Sequence, residues 1–177
     1  MTNKLEHGVD VNVPVTVAYN QWTQFEEFPR FMRHVESVLQ LDANHLRWHV
    51  NLGGKVRVFD AEIVEQIPDK RIAWRSTADA HHSGVVTFHR LTDRKCRVML
   101  QLDYEPEGLL EKLGTLVGVP EWNIAEDMTR FAEFVEKRQV ATGAWRGQIL
   151  NKDDAAEGAA GSPAGEERPP EQSASNS

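Results

Sequence analysis

Only one cysteine, Cys96, occurs in the 177 residues. No internal disulfide can form, and no multi-thiolate zinc site can be assembled. That sparing use of thiols fits a reducing compartment, and the cytoplasm is the expected location. No apolar run approaches the ~20 residues needed to cross a bilayer, and the opening MTNKLEHGVDV lacks the charged-then-apolar order of a secretory signal. Basic residues are in deficit: 20 Lys and Arg stand against 27 Asp and Glu, for a formal charge of −7. Nucleic-acid affinity rests on cations that neutralise phosphates, so this balance argues against a duplex-binding role. Neither a Walker motif nor a Rossmann fingerprint is present; Gly53-Gly54 reads as a hairpin turn, and no nucleotide cofactor is expected.

What is present is enough for one core. The hydrophobic share is 40%, which supports a single domain over residues 1–150. Beyond it, 151–177 consists of Ala, Gly, Ser, Pro and acids, with Lys152 and Arg168 set against Asp153, Asp154, Glu157, Glu166, Glu167 and Glu171. Such a segment cannot bury enough surface to offset its ordering entropy, so a disordered acidic tail is predicted there. More than half of the net charge lies in that tail, and the body is nearly balanced.

Within the body, Leu5, His7, Val9, Val11 and Val13 alternate with polar residues, the mark of a half-buried strand. Pro14 suits the first position of a helix running to about Gln24, in which Ala18, Trp22 and Phe25 share a face. Pro29 interrupts a second short helix over 26–34. From Val35 to Tyr104, turn chemistry at 42–45, 53–54, 68–70, 80–84 and 92–94 separates six alternating segments. On one face fall Leu46, Trp48, Val50, Phe59, Ala61, Ile63, Ile72, Trp74, Val86, Phe88, Cys96, Val98 and Leu100; Arg47, His49, Glu62, Arg75, Arg97 and Gln101 fall on the wetter one. A final helix is predicted over Trp122–Lys137, with Ile124, Met128, Phe131, Ala132 and Val135 as its apolar stripe. The order strand, two helices, six strands, helix gives an α+β fold.

Five segments carry a resemblance: VPVTVAYNQWTQFEEFPRFMRHVESV, FDAEIVEQIPDKRIAWRS, SGVVTFHRL, VMLQLDYEPEG and EDMTRFAEFVEKRQ. They cover most of residues 10–139 and resemble the START-like (SRPBCC) superfamily. Within it they are similar to the bacterial polyketide cyclase/dehydrase or coenzyme-Q-binding-protein-like group. The resemblance implies a helix-grip fold: a seven-stranded antiparallel sheet curved around a long C-terminal helix, with two short helices after the first strand. It also implies a cavity for a lipid, quinone or polyketide-like molecule. The sequence departs from the group's pattern at Phe59, where tryptophan is common, and at Tyr104-Glu105-Pro106-Glu107, where a second proline often stands.

Parity then selects the residues that would line such a cavity. Arg57, Ser76, Arg90 and Tyr104 are polar groups in phase with apolar neighbours. An arginine can hold an anionic headgroup or steady an enolate, and a tyrosine hydroxyl can donate to a carbonyl. With the aromatics, the ligand-pocket candidates are Trp48, Arg57, Phe59, Trp74, Ser76, Phe88, Tyr104, Trp122, Met128 and Phe131, and Trp22 joins Trp48, Trp74 and Trp122 in shaping an apolar interior. Leu109 to Val117, rich in leucine and glycine, is a candidate flap for ligand admission or transient contact with a membrane surface. The seven histidines lack ligand spacing, and His81-His82 is read as a loop pair; no metal site is expected. Cys96 has no local triad around it and reads as a core residue.

Three functions fit this reading: a binder or carrier of a hydrophobic small molecule, an aromatase/cyclase-dehydrase acting on a polyketide-like chain, and a non-catalytic interaction module. No acid–base or nucleophilic set is recognisable, which ranks the binder first and leaves the catalytic residues unassigned. The oligomeric state is not legible.

Overall fold

The computed structural model describes residues 3–77, 82–104 and 123–152. The predicted flap at Leu109 to Val117, the candidate Trp122 and residues 153–177 of the predicted tail lie outside them.

Strand β1 (Asn3–Val11) leads into α1 (Val15–Trp22). Pro14 does not open the helix. It holds ψ at 145° as the residue before the first turn, and Thr23 closes the helix two residues earlier than the periodicity suggests. The second short helix is a single 3-10 segment over Phe25–Arg30, shorter than 26–34 and with Pro29 inside it. Proline's missing N–H and fixed φ are tolerated in so short a piece but preclude a continuing α-helix.

Six strands follow: β2 (Val35–Gln40), β3 (His45–Leu52), β4 (Lys55–Ile67), β5 (Arg71–Ser76), β6 (His82–Thr92) and β7 (Lys95–Tyr104). All pairings are antiparallel, in the order β1-β7-β6-β5-β4-β3-β2. Gly53 and Gly54, with φ of 60° and 83°, close the β3–β4 hairpin in the left-handed conformation that suits a two-residue turn. Asp69, with φ of 61°, turns β4 into β5. Irregularities in register between Val35 and Ser37, Ile63 and Glu65, and Arg90 and Thr92 supply local bends to the curled sheet.

Helix α2 (Ile124–Arg138) fills the concave face. Asn123 caps it by accepting the Glu126 N–H, and its predicted stripe, Ile124, Met128, Phe131, Ala132 and Val135, is buried. Full burial of side chains such as Met128 and Phe131 contributes about 1.5–3 kcal/mol each. One charge interrupts the stripe. Asp127, 3% exposed, accepts the Arg33 N–H at 3.1 Å and pairs with Arg130, whose Nε donates to the Phe31 carbonyl at 3.1 Å. The pair ties α2 to the chain following the 3-10 segment.

Past α2 the chain does not leave the domain. A strap over 140–149 returns along α1 to the β4–β5 turn. Gln21 and Thr142 exchange two hydrogen bonds, the Trp145 N–H reaches Thr23 Oγ1, and Arg146 clamps Asp69 at 2.8 and 2.9 Å. Ile149 then forms an antiparallel bridge with Gln66.

Candidate functional site

Cross-strand register places the inward side chains in rows. Trp48 lies opposite Phe59, Val50 opposite Arg57, Ala61 opposite Ser76, and Trp74 opposite Gly84. These rows divide the sequence candidates into two groups. At one end Trp22 packs edge-on against Phe28, Phe88 and Phe131 with centroids 5.4, 6.3 and 5.0 Å away, and Phe31 meets Phe131 at 5.1 Å. Phe88, Met128 and Phe131 are 4%, 0% and 0% exposed, so this end is a packed aromatic plug. Trp22 belongs to the plug as well.

The other end is chemically mixed. Trp48 stacks on Phe59, with centroids 6.0 Å apart and planes 11° from parallel. The Phe59 ring meets the edge of His82 at 4.5 Å. The His82 N–H donates to Ser76 Oγ at 3.4 Å, and Arg57 stands two residues from Phe59 on the same face, half-buried. Tyr104 is opposite His82 in the β6–β7 register, which fixes its backbone position. His82 is six residues from Phe88 along β6, about 20 Å at the rise of a strand, so the plug and the mixed end are separate neighbourhoods. Trp48 joins them through its 5.5 Å contact with Phe28.

His82 is a correction to the sequence reading. The predicted turn at 80–84 is already strand from His82 onward. His82 is therefore no loop histidine: it shares parity with Gly84, Val86 and Phe88, and that phase was the signal available in the sequence. Burial pushes its imidazole down to about 4, which leaves the ring uncharged at neutral pH. Gly84 is the second missed residue. The Trp74 ring covers it so closely that an added Cβ would lie 2.5 Å from Cε2 and 2.8 Å from Cη2. Only glycine lets the indole lie against β6 here.

At the mixed end Trp48 Nε1 and His82 Nε2 are buried and, among the described residues, meet no hydrogen-bond partner. Each such group costs about 1–3 kcal/mol to leave unpaired.

The remaining candidates fall elsewhere. Arg90 is exposed and pairs with Asp93, outside the concave interior. Cys96 is buried in the core with its thiol pushed up to about 11, mainly by burial, and so lacks the thiolate character of a nucleophile. On the convex face Arg47 grips Asp60 at 2.8 and 2.9 Å, Arg97 grips Asp10 at 2.7 Å, and Arg75 reaches Glu62 at 3.2 Å. These exposed pairs hold Asp10 and Asp60 below the usual carboxylate range through hydrogen bonds from arginine, and they contribute little stability. A groove of ≈ 300 Å³ between His7, the capping Asn123 and the α2 residues Ala125, Glu126, Thr129, Arg130 and Glu133 is open to solvent. Among the described residues no cluster of three metal-ligating side chains occurs, and no helix is long and apolar enough to cross a membrane.

Comparison with known proteins agrees with this architecture. An uncharacterised 17.2 kDa protein of Streptomyces lincolnensis is 46% identical over 149 residues, which is 84% of this chain and 99% of that protein. A crystal structure from Deinococcus radiodurans superposes with a TM-score of 0.62 at 28% identity, over 77% of this chain and 98% of the other. The Zhui aromatase/cyclase from Streptomyces sp. R1128 superposes with a TM-score of 0.63 at 19% identity, over 82% and 100%. A START superfamily protein from Mycobacterium smegmatis gives 0.56 at 15%, over 76% and 95%; at such identities these last two establish the fold alone. Residues 11–133 match the family described as polyketide cyclase/dehydrase and lipid transport. The chain thus belongs to the polyketide cyclase/dehydrase and lipid-transport family, and its fold is the START-like helix-grip, a fold that binds hydrophobic ligands.

Proposed function

We propose that this protein binds an apolar small molecule between the concave face of the sheet and α2, and holds it without transforming it. The observation that carries this reading is the mixed end of the concave face. Flat aromatic surfaces from Trp48, Phe59 and Trp74 lie beside Trp48 Nε1 and His82 Nε2, which are unpaired among the described residues. Apolar walls with a few placed polar groups are the usual constitution of a small-molecule site. Among the described residues the groups at that end are an uncharged imidazole, a hydroxyl, an indole N–H and a guanidinium, and none forms a nucleophile–base pair.

A second reading, an aromatase/cyclase acting on a polyketide-like chain, draws on Arg57 and Ser76. They share the face of Phe59 and can steady an enolate and a carbonyl. Turnover of a poly-β-ketone that is lost in both Arg57→Ala and Ser76→Ala, with binding retained, would favour it.

The binding reading is tested by titrating the full-length protein with N-phenyl-1-naphthylamine, a neutral apolar fluorophore, and by solvent extraction of freshly purified protein followed by mass spectrometry. Saturable binding at one site, or a stoichiometric co-purified apolar compound, is the expected result. No saturable uptake of the probe and an empty extract would overturn the reading.

A further inference from the structure

The proposed binding site leaves open what oxygen chemistry the ligand presents. Trp48 Nε1 and His82 Nε2 are both withdrawn from solvent, both unpartnered among the described residues, and both in side chains that contact the ring of Phe59, Trp48 by stacking and His82 in a T-shaped arrangement. Secondary structure accounts for neither: an inward indole and an inward imidazole on a strand contribute their rings to packing, and phenylalanine would pack there without an unpaired nitrogen. We infer that these two nitrogens form a polar subsite for the un-ionised oxygen of a flat aromatic ligand, a ring ketone or a phenol.

The indole N–H can only donate, so it requires an acceptor oxygen. A neutral imidazole nitrogen donates or accepts according to its tautomer, so it serves a carbonyl or a hydroxyl. Neither group offers a positive charge, and burial holds His82 uncharged at neutral pH. A carboxylate would forfeit its hydration there without gaining a counter-charge from either nitrogen. Arg57 lies two residues before Phe59 in the same phase of β4, about 7 Å along the strand, and a ligand anchored by a carboxylate would be drawn toward that cation instead. The flatness follows from the walls, since the Trp48 and Phe59 rings are near-parallel and the Trp74 ring lies against Gly84.

The inference rests on the binding reading, and the test separates the two. Equilibrium dialysis at pH 7 compares three probes of one ring skeleton with the full-length protein: naphthalene, 2-acetylnaphthalene and 2-naphthoate. Wild-type protein is expected to bind 2-acetylnaphthalene about fivefold more tightly than naphthalene, the scale of one net hydrogen bond, and to bind 2-naphthoate least. Trp48→Phe and His82→Phe keep an aromatic ring at each position and remove the nitrogens. Each is expected to lose the preference for the ketone, read as the ratio of the ketone and naphthalene affinities within that variant, whatever the absolute affinity for naphthalene becomes. Circular dichroism of each variant confirms folding, and either variant alone suffices if the other fails to fold. Equal binding of naphthalene and the ketone, a preference that survives the substitutions, or 2-naphthoate binding best would overturn the subsite while leaving apolar binding intact. Failure of all three probes together with N-phenyl-1-naphthylamine would overturn both.

Discussion

Glycine replaced by alanine is ordinarily a mild change in a strand, and two such replacements in this sheet are expected to differ sharply for a reason visible in their neighbours. At Gly84 the new Cβ would meet the Trp74 indole at 2.5 Å and 2.8 Å from two ring carbons, against 3.4–4 Å for ordinary contact. The indole is rigid and 9% exposed, so it has little room to retreat. Overpacking of this kind costs about 1–3 kcal/mol, and the reduced entropy of the unfolded chain returns up to about 1 kcal/mol. The expected net loss for Gly84→Ala is about 2 kcal/mol, a fall in Tm of about 4–8 °C for a domain of this size. At Gly8 the new Cβ would overlap a neighbour just as closely, but that neighbour is the thioether end of Met99, half-buried on the opposite face of the sheet. A methionine end swings aside by rotamer change, so Gly8→Ala is expected to stay within about 0.5 kcal/mol of wild type. Urea unfolding of both variants, followed by circular dichroism, measures the difference. Trp74→Leu supplies a control background in which Gly84→Ala should become nearly neutral, the signature of direct coupling. Equal destabilisation at the two glycines, or an undiminished effect of Gly84→Ala without the indole, would refute the reasoning.

Two other outcomes follow from the buried polar groups. His82 titrates near 4 when folded and near 6.5 when unfolded. The unfolded chain therefore takes up the proton first, and stability is expected to fall as pH drops from about 6.5 to about 4, then to level off for this group. The loss reaches about 3 kcal/mol at most, and His82→Phe should flatten that part of the pH profile in urea unfolding; an unchanged slope would show that the imidazole is hydrated in the fold. Asp127→Ala removes the acceptor of the Arg33 N–H and the partner of Arg130. Because Arg130 is 34% exposed and keeps its bond to Phe31, the expected loss is moderate, about 2 kcal/mol, read from the denaturation midpoint.

Much of the fold was legible because its strands are half-buried. The alternation of Leu46, Trp48 and Val50, or of Cys96, Val98 and Leu100, follows from a pleat with one dry face, and the α2 stripe follows from helical periodicity. What escaped the sequence has physical reasons. Gly84 reads as a turn residue by composition, and only the Trp74 ring explains a glycine within a strand. Asp127 is an acid in an amphipathic helix, which ordinarily means the solvent face, and its bonds to the Arg33 N–H and to Arg130 reverse that expectation. Of the candidate site, parity named Trp48, Arg57, Phe59, Trp74 and Ser76, which the structure gathers at one end. Parity carries no information on distance along a strand, and so it grouped them with Phe88, which belongs to the plug. The strap has no periodicity at all, since its order comes from individual hydrogen bonds.

That strap bears on how the domain assembles in time. Gln21 and Thr142 are 121 residues apart, and Trp145 meets Thr23 across 122. Contacts so distant in sequence carry a large closure entropy and reward the chain only after both partners are in place. Newly synthesised α1 therefore waits for almost the whole domain to emerge before its outer face is covered. The segment 140–149 is therefore expected to dock late in folding and to open early in unfolding.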